Sequence, residues 1–231
     1  MSMAAKKVLR SHMRQVLKAV SGEDIRTQSQ QISQQLQSII SDYKGSSPST
    51  RNIGCFLSME QGEVDTKYIL EWLFQDNNDF TSHVFLPRCT TTKQTGQVKL
   101  RTDLGTGHQI DHPHLTFHQV DSLNTINSWS PQGKYQLREP PLETPSPLPP
   151  FMDIMIVPGV AFNVDNGARM GWGAGYYDDF FKRYNLKYQS KPLLIGVALK
   201  EQIVSNIELE PHDQFMDCIV VGDGNVHWIN K

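Results

Sequence analysis

One segment of the sequence carries the residue types that bind a phosphorylated ligand. It runs from Gly167 to Gly175 as GARMGWGAG and contains four glycines. Glycine adopts backbone angles with positive φ and leaves room for a ligand beside main-chain N–H groups. A helix is predicted to begin directly afterwards, at Tyr176, where free N–H groups and the helix dipole favour an anion. This segment is therefore predicted to be a phosphate-binding loop.

Charged side chains around the loop suit the same ligand. Arg169 offers a fixed guanidinium, and Asp178 offers hard carboxylate oxygens of the kind that Mg²⁺ prefers. The alternative is a glycine-rich surface turn without a ligand. A strongly apolar strand over 153–157 precedes the loop, and the sequence Tyr-Tyr-Asp-Asp follows it, which favours a binding site.

The loop differs from the two common phosphate-binding motifs. The chain contains no Gly-Lys-Ser/Thr triplet, as a Walker A motif requires. A dinucleotide fingerprint starting at Gly171 needs its third glycine at position 176, which is tyrosine. Neither motif identifies the ligand.

Helices and strands alternate along the chain and must position these residues. Helices are predicted over 4–20, 23–40, 67–75, 121–127 and 176–184, and strands over 53–58, 83–87, 98–101, 115–119, 153–157, 193–199, 217–221 and 226–229. Apolar strands between helices predict an α/β fold with a largely parallel sheet covered on both faces. Ligands bind such sheets beyond the carboxyl ends of the strands, so segments 58–63, 87–88 and 158–175 are expected to line one crevice.

Length and composition narrow the class of protein. The 231 residues predict a single α/β domain over 1–231. Seven of the 13 prolines predict an extended loop over 130–150, which could link two domains but which we expect to lie over the crevice. A net charge of −2 gives no strong attraction to nucleic acid or a membrane, and no apolar run is long enough to cross one. Cys55, Cys89 and Cys218 lack the spacing of a disulfide framework or a zinc site, which fits a reducing, cytoplasmic compartment.

The N-terminal segment has two interpretations. Its basic residues all precede the first acid, Glu23, and are Lys6, Lys7, Arg10, Arg14 and Lys18. Its apolar residues recur at helical spacing and are Leu9, Met13, Val16, Leu17 and Val20. A basic amphipathic start without acids is typical of a mitochondrial presequence. The alternative is a first helix that packs on the domain.

A histidine-rich segment raises the question of a metal site. It contains His108, Asp111, His112, His114 and His118. In an extended chain the last three histidines would share a face. Pro113 interrupts the segment, however, and we expect a solvated loop and strand here rather than a metal site.

The chain as a whole resembles the 5-formyltetrahydrofolate cyclo-ligase family. The most specific matches are VPGVAF at 157–162, GARMG at 167–171, Gly173 and GYYD at 175–178. Weaker matches follow in order along nearly the whole chain: 6–10, 56–59 with Glu63, 85–88, and 200–202 with Asp213 and Asp217. The resemblance implies a three-layer α/β/α fold similar to that of sugar-phosphate isomerases and CoA transferases. It also favours the interpretation of residues 6–10 as part of a first helix at a nucleotide site.

The resemblance implies an activity and a set of site residues. The activity is ATP- and Mg²⁺-dependent conversion of 5-formyltetrahydrofolate to 5,10-methenyltetrahydrofolate, ADP and phosphate, without a protein nucleophile. Whether the folate is polyglutamylated is left open. The implied ATP-binding residues are Lys6, Lys7, Arg10, Arg169, Met170, Gly171, Trp172, Gly173, Ala174, Gly175, Tyr176 and Tyr177. The implied folate-binding residues are Arg10, Leu57, Met59, Glu63, Tyr135, Trp172, Gly173 and Tyr176, and the implied metal ligands are Asp178 and Asp213.

The chain departs from the animal members of the family at two positions in the loop. Those members carry an arginine and a lysine where Trp172 and Ala174 stand here. Lys6, Lys7, Arg10 and Arg169 must then neutralise more of the triphosphate charge. Two other functions remain open: an ATP-independent isomerase or CoA transferase on the same fold, and a non-catalytic folate- or nucleotide-binding protein.

Overall fold

The structure is a computed structural model that describes residues 2–45, 47, 49–59, 61–75, 80–95, 113–132, 136–141, 149, 151–210 and 213–229. Its helices are α1 (Ser2–Ala19), α2 (Gly22–Asp42), α3 (Lys67–Leu73), α4 (Thr92–Thr95), α5 (Leu123–Ser128) and α6 (Tyr176–Tyr188), with a 3₁₀ turn at Lys200–Gln202. Its strands are β1 (Thr50–Gly54), β2 (Thr81–Thr91), β3 (Pro113–Val120), β4 (Pro131–Gln132), β5 (Leu137–Arg138), β6 (Ile154–Val157), β7 (Ala161–Phe162), β8 (Arg169–Met170), β9 (Leu193–Ala198), β10 (Cys218–Val221) and β11 (Val226–Trp228).

The main sheet has seven strands in the order β11-β10-β9-β6-β1-β2-β3. The five strands from β10 to β2 are parallel to one another, and the edge strands β3 and β11 are antiparallel to their neighbours. Residues of the central strands β6 and β10 are buried throughout, as their continuous apolar sequences predict. The predicted α/β fold with a largely parallel sheet is confirmed.

Alternate residues of β6 enter two different hydrophobic cores. Ile154 and Ile156 lie in the core that contains buried residues of α1, α2 and α3. Met155 and Val157 lie in the core that contains buried residues of α6. Helices therefore cover both faces of the sheet, which makes the three layers that the resemblance implied.

Helix α1 packs on the sheet as part of the fold. Met13 and Leu17 are buried in the same core as α2 and α3. This confirms the interpretation of the N-terminal segment as a first helix that packs on the domain. Within the described ranges, no helix combines the length and hydrophobicity that crossing a membrane requires.

Strands β1 and β2 differ from their predicted bounds, and the difference shapes the site. Strand β1 ends at Gly54 instead of residue 58, and β2 extends to Thr91, so Pro87 lies within a strand and not after one. Pairing between β1 and β2 stops at Phe85, whereas β3 pairs with β2 as far as Thr91. Beyond Phe85, no strand among the described residues pairs with the β1 side of β2, which accommodates a proline that cannot donate there.

The segment predicted as an extended loop over 130–150 contains a short hairpin. Strands β4 and β5 pair through Pro131 with Arg138 and through Gln132 with Leu137. Two-residue strands are too short to give an alternating sequence pattern, so the prolines alone decided the prediction. Tyr135 lies outside the described residues, as does the strand predicted over 98–101.

Part of the histidine-rich segment is buried, contrary to the solvated segment that we expected. His114 and His118 lie on β3 with exposed fractions of 0% and 5%. Their Nε2 atoms lie 2.9 Å from Thr95 Oγ1 and 2.8 Å from Thr116 Oγ1. Neighbouring threonines satisfy these nitrogens, which sequence spacing could not reveal. His108, Asp111 and His112 fall outside the described residues, and the described residues contain no group of three or more His, Cys, Asp or Glu side chains that could hold a metal.

Candidate active site

A cleft opens where β1 and β6 end at the carboxyl edge of the sheet. It brings together the segment after β1, the overhanging end of β2, the segment after β6 and the start of α6. Its lining residues are Phe56, Leu57, Met59, Glu63, Pro87, Cys89, Leu115, Leu137, Arg138, Glu139, Pro158, Gly159, Arg169, Gly171, Trp172, Ala174, Gly175, Tyr176, Tyr177 and Asp178. The expected crevice at the strand ends is confirmed.

The glycine loop proper is shorter than predicted. Arg169 and Met170 belong to β8, which pairs with β7, so the turn that follows spans 171–175. Gly173 and Gly175 have φ angles of 105° and 69°, in the region that favours glycine. Gly175 is the N-cap of α6 and has no side chain to bond the first-turn N–H groups. An anion can satisfy those donors.

Buried contacts fix the position of α6 and therefore of its N-terminus. The Arg183 side chain is fully buried, and its Nε donates to Asp179 Oδ2 at 2.8 Å. Its Nη2 donates to the carbonyl oxygen of Leu115 on β3 at 2.7 Å. Phe117 of β3 packs against Phe180 of α6 with ring centroids 4.6 Å apart. The loop thus leads into a helix held rigidly against the sheet.

Two ion pairs join the predicted nucleotide-binding cations to the predicted metal ligands. Lys6 Nζ lies 2.7 Å from Asp213 Oδ2 and 2.8 Å from Glu210 Oε2. Burial alone would lower the pKa of Lys6, but the hydrogen bonds to Asp213 and Glu210 raise it overall. Arg169 Nη2 donates to both carboxylate oxygens of Asp178, at 3.1 and 3.0 Å. The two carboxylates are balanced by cations in this structure.

Helix α1 reaches the glycine loop through its arginines. Arg10 Nε donates to the carbonyl oxygen of Gly171 at 2.9 Å. A side chain at Gly173 would approach the Arg10 guanidinium, with Cβ 3.4 Å from Cζ. Arg14 lies over the Trp172 ring, with its Cζ 5.4 Å from the ring centroid. The loop and the basic face of α1 form one surface.

Several predicted residues lie away from the cleft wall. Lys7 is exposed on α1, and the Met170 side chain is buried in the hydrophobic core. Arg10 contacts the loop at Gly171, Gly173 is part of the loop, and Lys6 pairs with Asp213, but none of these four residues lines the cleft. Met170 was included among the predicted ligands because its neighbours match the family motif, but on β8 its side chain points into the hydrophobic core.

Glu63 is a polar residue at an end of the cleft that is otherwise lined by apolar side chains. Its side chain is 9% exposed, and the Met59 N–H donates to its Oε2 at 2.9 Å. Burial raises the pKa of Glu63 to about 7, although the Met59 hydrogen bond acts in the opposite direction. Phe56, Leu57 and Met59 line the cleft beside it. This arrangement can accept hydrogen bonds from a flat ligand that carries N–H groups.

The β4–β5 hairpin contributes cleft residues that sequence reasoning missed. Leu137, Arg138 and Glu139 reach the cleft, and Glu139 Oε1 accepts a hydrogen bond from the Cys89 N–H at 3.0 Å. Cys89 is exposed as a residue, but desolvation of its thiol by the surrounding cleft and the neighbouring Glu139 raise the pKa of the thiol to about 12, so it stays protonated near neutral pH. Only the hairpin pairing and the length of β2 bring these residues together, and the sequence gives no signal for either.

Comparisons with known proteins agree with this architecture. A statistical description of the 5-formyltetrahydrofolate cyclo-ligase family matches residues 2–222. A 5-formyltetrahydrofolate cyclo-ligase of Saccharomyces cerevisiae is 46% identical over 227 residues, covering 98% of this chain and 99% of that protein. One of Mus musculus is 30% identical, covering 95% of each chain. An Aquifex aeolicus 5,10-methenyltetrahydrofolate synthetase structure has the same fold, with a TM-score of 0.67, 23% identity, and coverage of 98% of this chain and 93% of that one.

The fold and the cleft define an α/β protein with a cleft at the carboxyl edge of a largely parallel sheet. The chain belongs to the 5-formyltetrahydrofolate cyclo-ligase family.

Proposed function

We propose that this chain converts 5-formyltetrahydrofolate to 5,10-methenyltetrahydrofolate, using ATP and Mg²⁺ and releasing ADP and phosphate. The observation that supports the proposal most strongly is that Glu63, the glycine-loop residues and Arg169 all line the same cleft. A folate and a nucleotide bound at these two ends would bring the formyl group and the γ-phosphate together. Family membership supports the same reaction.

The folate end of the proposed site is formed by the segment after β1. The ionised carboxylate of Glu63 would accept paired hydrogen bonds from the amino and ring N–H groups of the pterin. Leu57 and Met59 would pack against the ring, and Tyr176 and Trp172 belong to the same lining. We assign pterin recognition to Glu63 because it combines burial with a position inside the cleft.

The nucleotide end of the proposed site is the glycine loop with the cations around it. N–H groups of the loop and of the first turn of α6 would bind phosphate oxygens. Arg10 and Arg169 would add positive charge, and Lys6 would do so after leaving its carboxylate partners. Arg169 Nε is buried without a hydrogen-bond partner among the described residues, so Asp178 and the carbonyl oxygen of Pro158 leave its guanidinium incompletely bonded.

The proposed reaction needs positioning more than a protein nucleophile. The formyl oxygen of an amide is a poor leaving group, and transfer of the γ-phosphoryl to it makes a good one. The neighbouring folate nitrogen then attacks the activated carbon, the ring closes, and phosphate departs. Holding the two substrates in line and balancing the moving negative charge are the tasks left to the protein.

Asp178 and Asp213 fit a magnesium ion that arrives with ATP. Mg²⁺ in nucleotide sites is typically held by one or two carboxylates together with phosphate oxygens and water. The two aspartates supply such oxygens, and their present partners, Arg169 and Lys6, are cations that a triphosphate would attract. When bound, the ion would neutralise charge on the phosphates. Asp178 and Asp213 would hold it, and Arg169 and Lys6 would turn toward phosphate.

An absorbance assay for methenyltetrahydrofolate, run with and without ATP and Mg²⁺, tests the proposal. We expect product only when 5-formyltetrahydrofolate, ATP and Mg²⁺ are all present, with one ADP formed per product. Turnover of a substrate without ATP would favour an isomerase or a CoA transferase. Tight binding of 5-formyltetrahydrofolate without ATP hydrolysis would favour a folate-binding protein.

A further inference from the structure

Two arginines on one face of α1 flank the glycine loop. Arg10 and Arg14 are four residues apart, so their side chains are neighbours on the helix. Arg10 contacts the Gly171 carbonyl oxygen, and the Arg14 guanidinium lies 5.4 Å from the centre of the Trp172 ring. Each arginine therefore meets a different part of the same five-residue turn.

The charges around this turn are unevenly balanced. The turn itself, Gly-Trp-Gly-Ala-Gly, carries no charge. Arg169 and Lys6 are paired with Asp178 and with Asp213 and Glu210. Among the described residues, neither Arg10 nor Arg14 has a carboxylate within 4 Å, and like charges at this helical spacing repel each other. The surface between α1 and the turn thus has excess positive charge.

We infer that Arg14 is a further phosphate-binding residue of the nucleotide site, held over the loop by Trp172. The indole face attracts the guanidinium and orients it, while the five N–H donors at the edge of the guanidinium remain available to an anion. Trp172 lines the same cleft as Tyr176 and Tyr177 of the first turn of α6, so an anion bound by Arg14 at the Trp172 ring would lie near that turn. The inference rests on the proposed function, because it takes the anion to be the triphosphate of ATP.

The bound triphosphate would reduce the electrostatic repulsion between Arg10 and Arg14. Both arginines would therefore stabilise the complex with ATP more than they stabilise the free protein. Arg14 is exposed, so screening by solvent limits its effect. We expect Arg14→Gln to weaken ATP binding roughly twofold to fivefold, the effect of about one exposed charge contact. Arg14→Lys keeps the charge but loses the planar stacking on Trp172, so its affinity should lie between those of Arg14→Gln and the wild type.

Calorimetric titration of ATP in the presence of Mg²⁺ tests this inference with the full chain. Lys18→Gln is the matched control, since Lys18 is an exposed cation one turn further along α1 and should have wild-type ATP affinity. Separate titration of 5-formyltetrahydrofolate should give unchanged affinity for Arg14→Gln. Glutamine suits an exposed helix position, so the variant should fold normally.

The outcomes separate this inference from the proposed function. ATP affinity equal to the wild type in Arg14→Gln, or an equal loss in Lys18→Gln, would overturn the role of Arg14 alone. Loss of folate affinity with normal ATP affinity would assign Arg14 to the carboxylates of the folate and would also overturn it. A wild-type chain that binds no ATP would overturn the proposed function together with this inference.

Discussion

Glu63 and the glycine loop lie in the same cleft but differ in how charge is balanced. The Glu63 carboxylate is buried, and its hydrogen-bond partner among the described residues is the neutral Met59 N–H. Near the loop, by contrast, Asp178 is paired with Arg169, and Asp213 is paired with Lys6. One end of the cleft therefore holds a buried acid with no cationic partner among the described residues, whereas the acids near the other end are paired with cations.

This difference indicates how each end would respond to its ligand. A ligand that donates hydrogen bonds to Glu63 supplies what the free protein lacks there, so it can bind without breaking protein contacts. A triphosphate near the loop must compete with Asp178 and Asp213 for Arg169 and Lys6. We expect the folate end to be preorganised and the nucleotide end to exchange its ion pairs on binding.

Substituting the glycines of the loop should have the largest effect on the proposed nucleotide end of the cleft and none on its folate end. Gly173→Val or Gly175→Val places a branched side chain at positive φ where the backbone must approach phosphate. We expect ATP binding to fall by roughly a hundredfold or more, as expected when several charge-assisted hydrogen bonds are lost. Calorimetric titration of ATP measures this, and folate affinity should remain close to that of the wild type for Gly175→Val.

Gly224→Val is the matched control for the loop variants. Gly224 also has positive φ, and like Gly175 it has open space around its Cβ position, but it lies in the turn between β10 and β11. All three variants should lose stability through backbone strain, by roughly 1–2 kcal/mol. Only the loop variants should lose ATP binding. Normal ATP affinity in both of them would show that the loop does not bind the phosphates.

The pH dependence of the free energy of unfolding tests whether the pKa of Glu63 is raised in the folded protein. The folded-state pKa of about 7 exceeds the ordinary value of 4.5, so the folded protein binds more protons between these pH values. The contribution of Glu63 to stability is fully present below pH 4.5 and is lost as the pH rises through 7, up to about 3 kcal/mol. Glu63→Gln cannot titrate, so its stability relative to the wild type should rise by up to that amount between pH 5 and pH 8.

Urea unfolding of wild type and Glu63→Gln at pH 5, 6, 7 and 8 measures this difference. Glu71→Gln is the control, because the Glu71 side chain is 42% exposed and forms only a surface pair with Lys67. A constant stability difference between Glu63→Gln and the wild type across this range would mean that Glu63 is ionised normally in the folded protein.

Ligand binding at the same residue gives a slightly smaller expected effect. Glu63→Gln should weaken 5-formyltetrahydrofolate binding roughly tenfold to a hundredfold at pH 8, because a charge-assisted hydrogen bond of about 1.5–3 kcal/mol is lost. ATP affinity should remain near normal, as Glu63 lies at the other end of the cleft. Separate titrations of the two ligands decide the assignment: unchanged folate affinity, or equal losses for both ligands, would contradict it.

Much of this fold could be predicted from the sequence because its central strands are continuously apolar. The strands around Ile154 to Val157 and Cys218 to Val221 were expected within one residue of their observed bounds. The start of α6 at Tyr176 was also expected, since glycines precede it. These features depend on local residue types, which single-sequence reasoning can use.

The parts that could not be predicted depend on contacts between distant segments. The extension of β2 to Thr91 follows from pairing with β3, and Glu139 reaches Cys89 because a hairpin folds back across the cleft. The family resemblance implied Lys6 as an ATP ligand and Asp213 as a metal ligand, but it could not show that they pair with each other across 207 positions. Candidate site residues were therefore easier to propose from the sequence than their partners in the fold.

The ion pairs near the loop give the smallest expected effect. Asp178→Asn and Asp213→Asn keep the side-chain size but remove a charge that would hold Mg²⁺. We expect each variant to need roughly tenfold more Mg²⁺ for half-maximal rate, and its chemical step to be slower, because one carboxylate ligand of two is lost.

Asp178→Asn should also lose stability, since the Arg169 side chain is only 4% exposed and would be left without its anion. Lys6 would keep Glu210 in Asp213→Asn, so that variant should be the more stable of the two. Magnesium titrations of the steady-state rate at saturating ATP, with the exposed turn variant Asp223→Asn as control, measure the requirement, and thermal unfolding measures stability. Wild-type magnesium curves in both variants would remove the two aspartates from the metal site and would leave their ion pairs with a structural role alone.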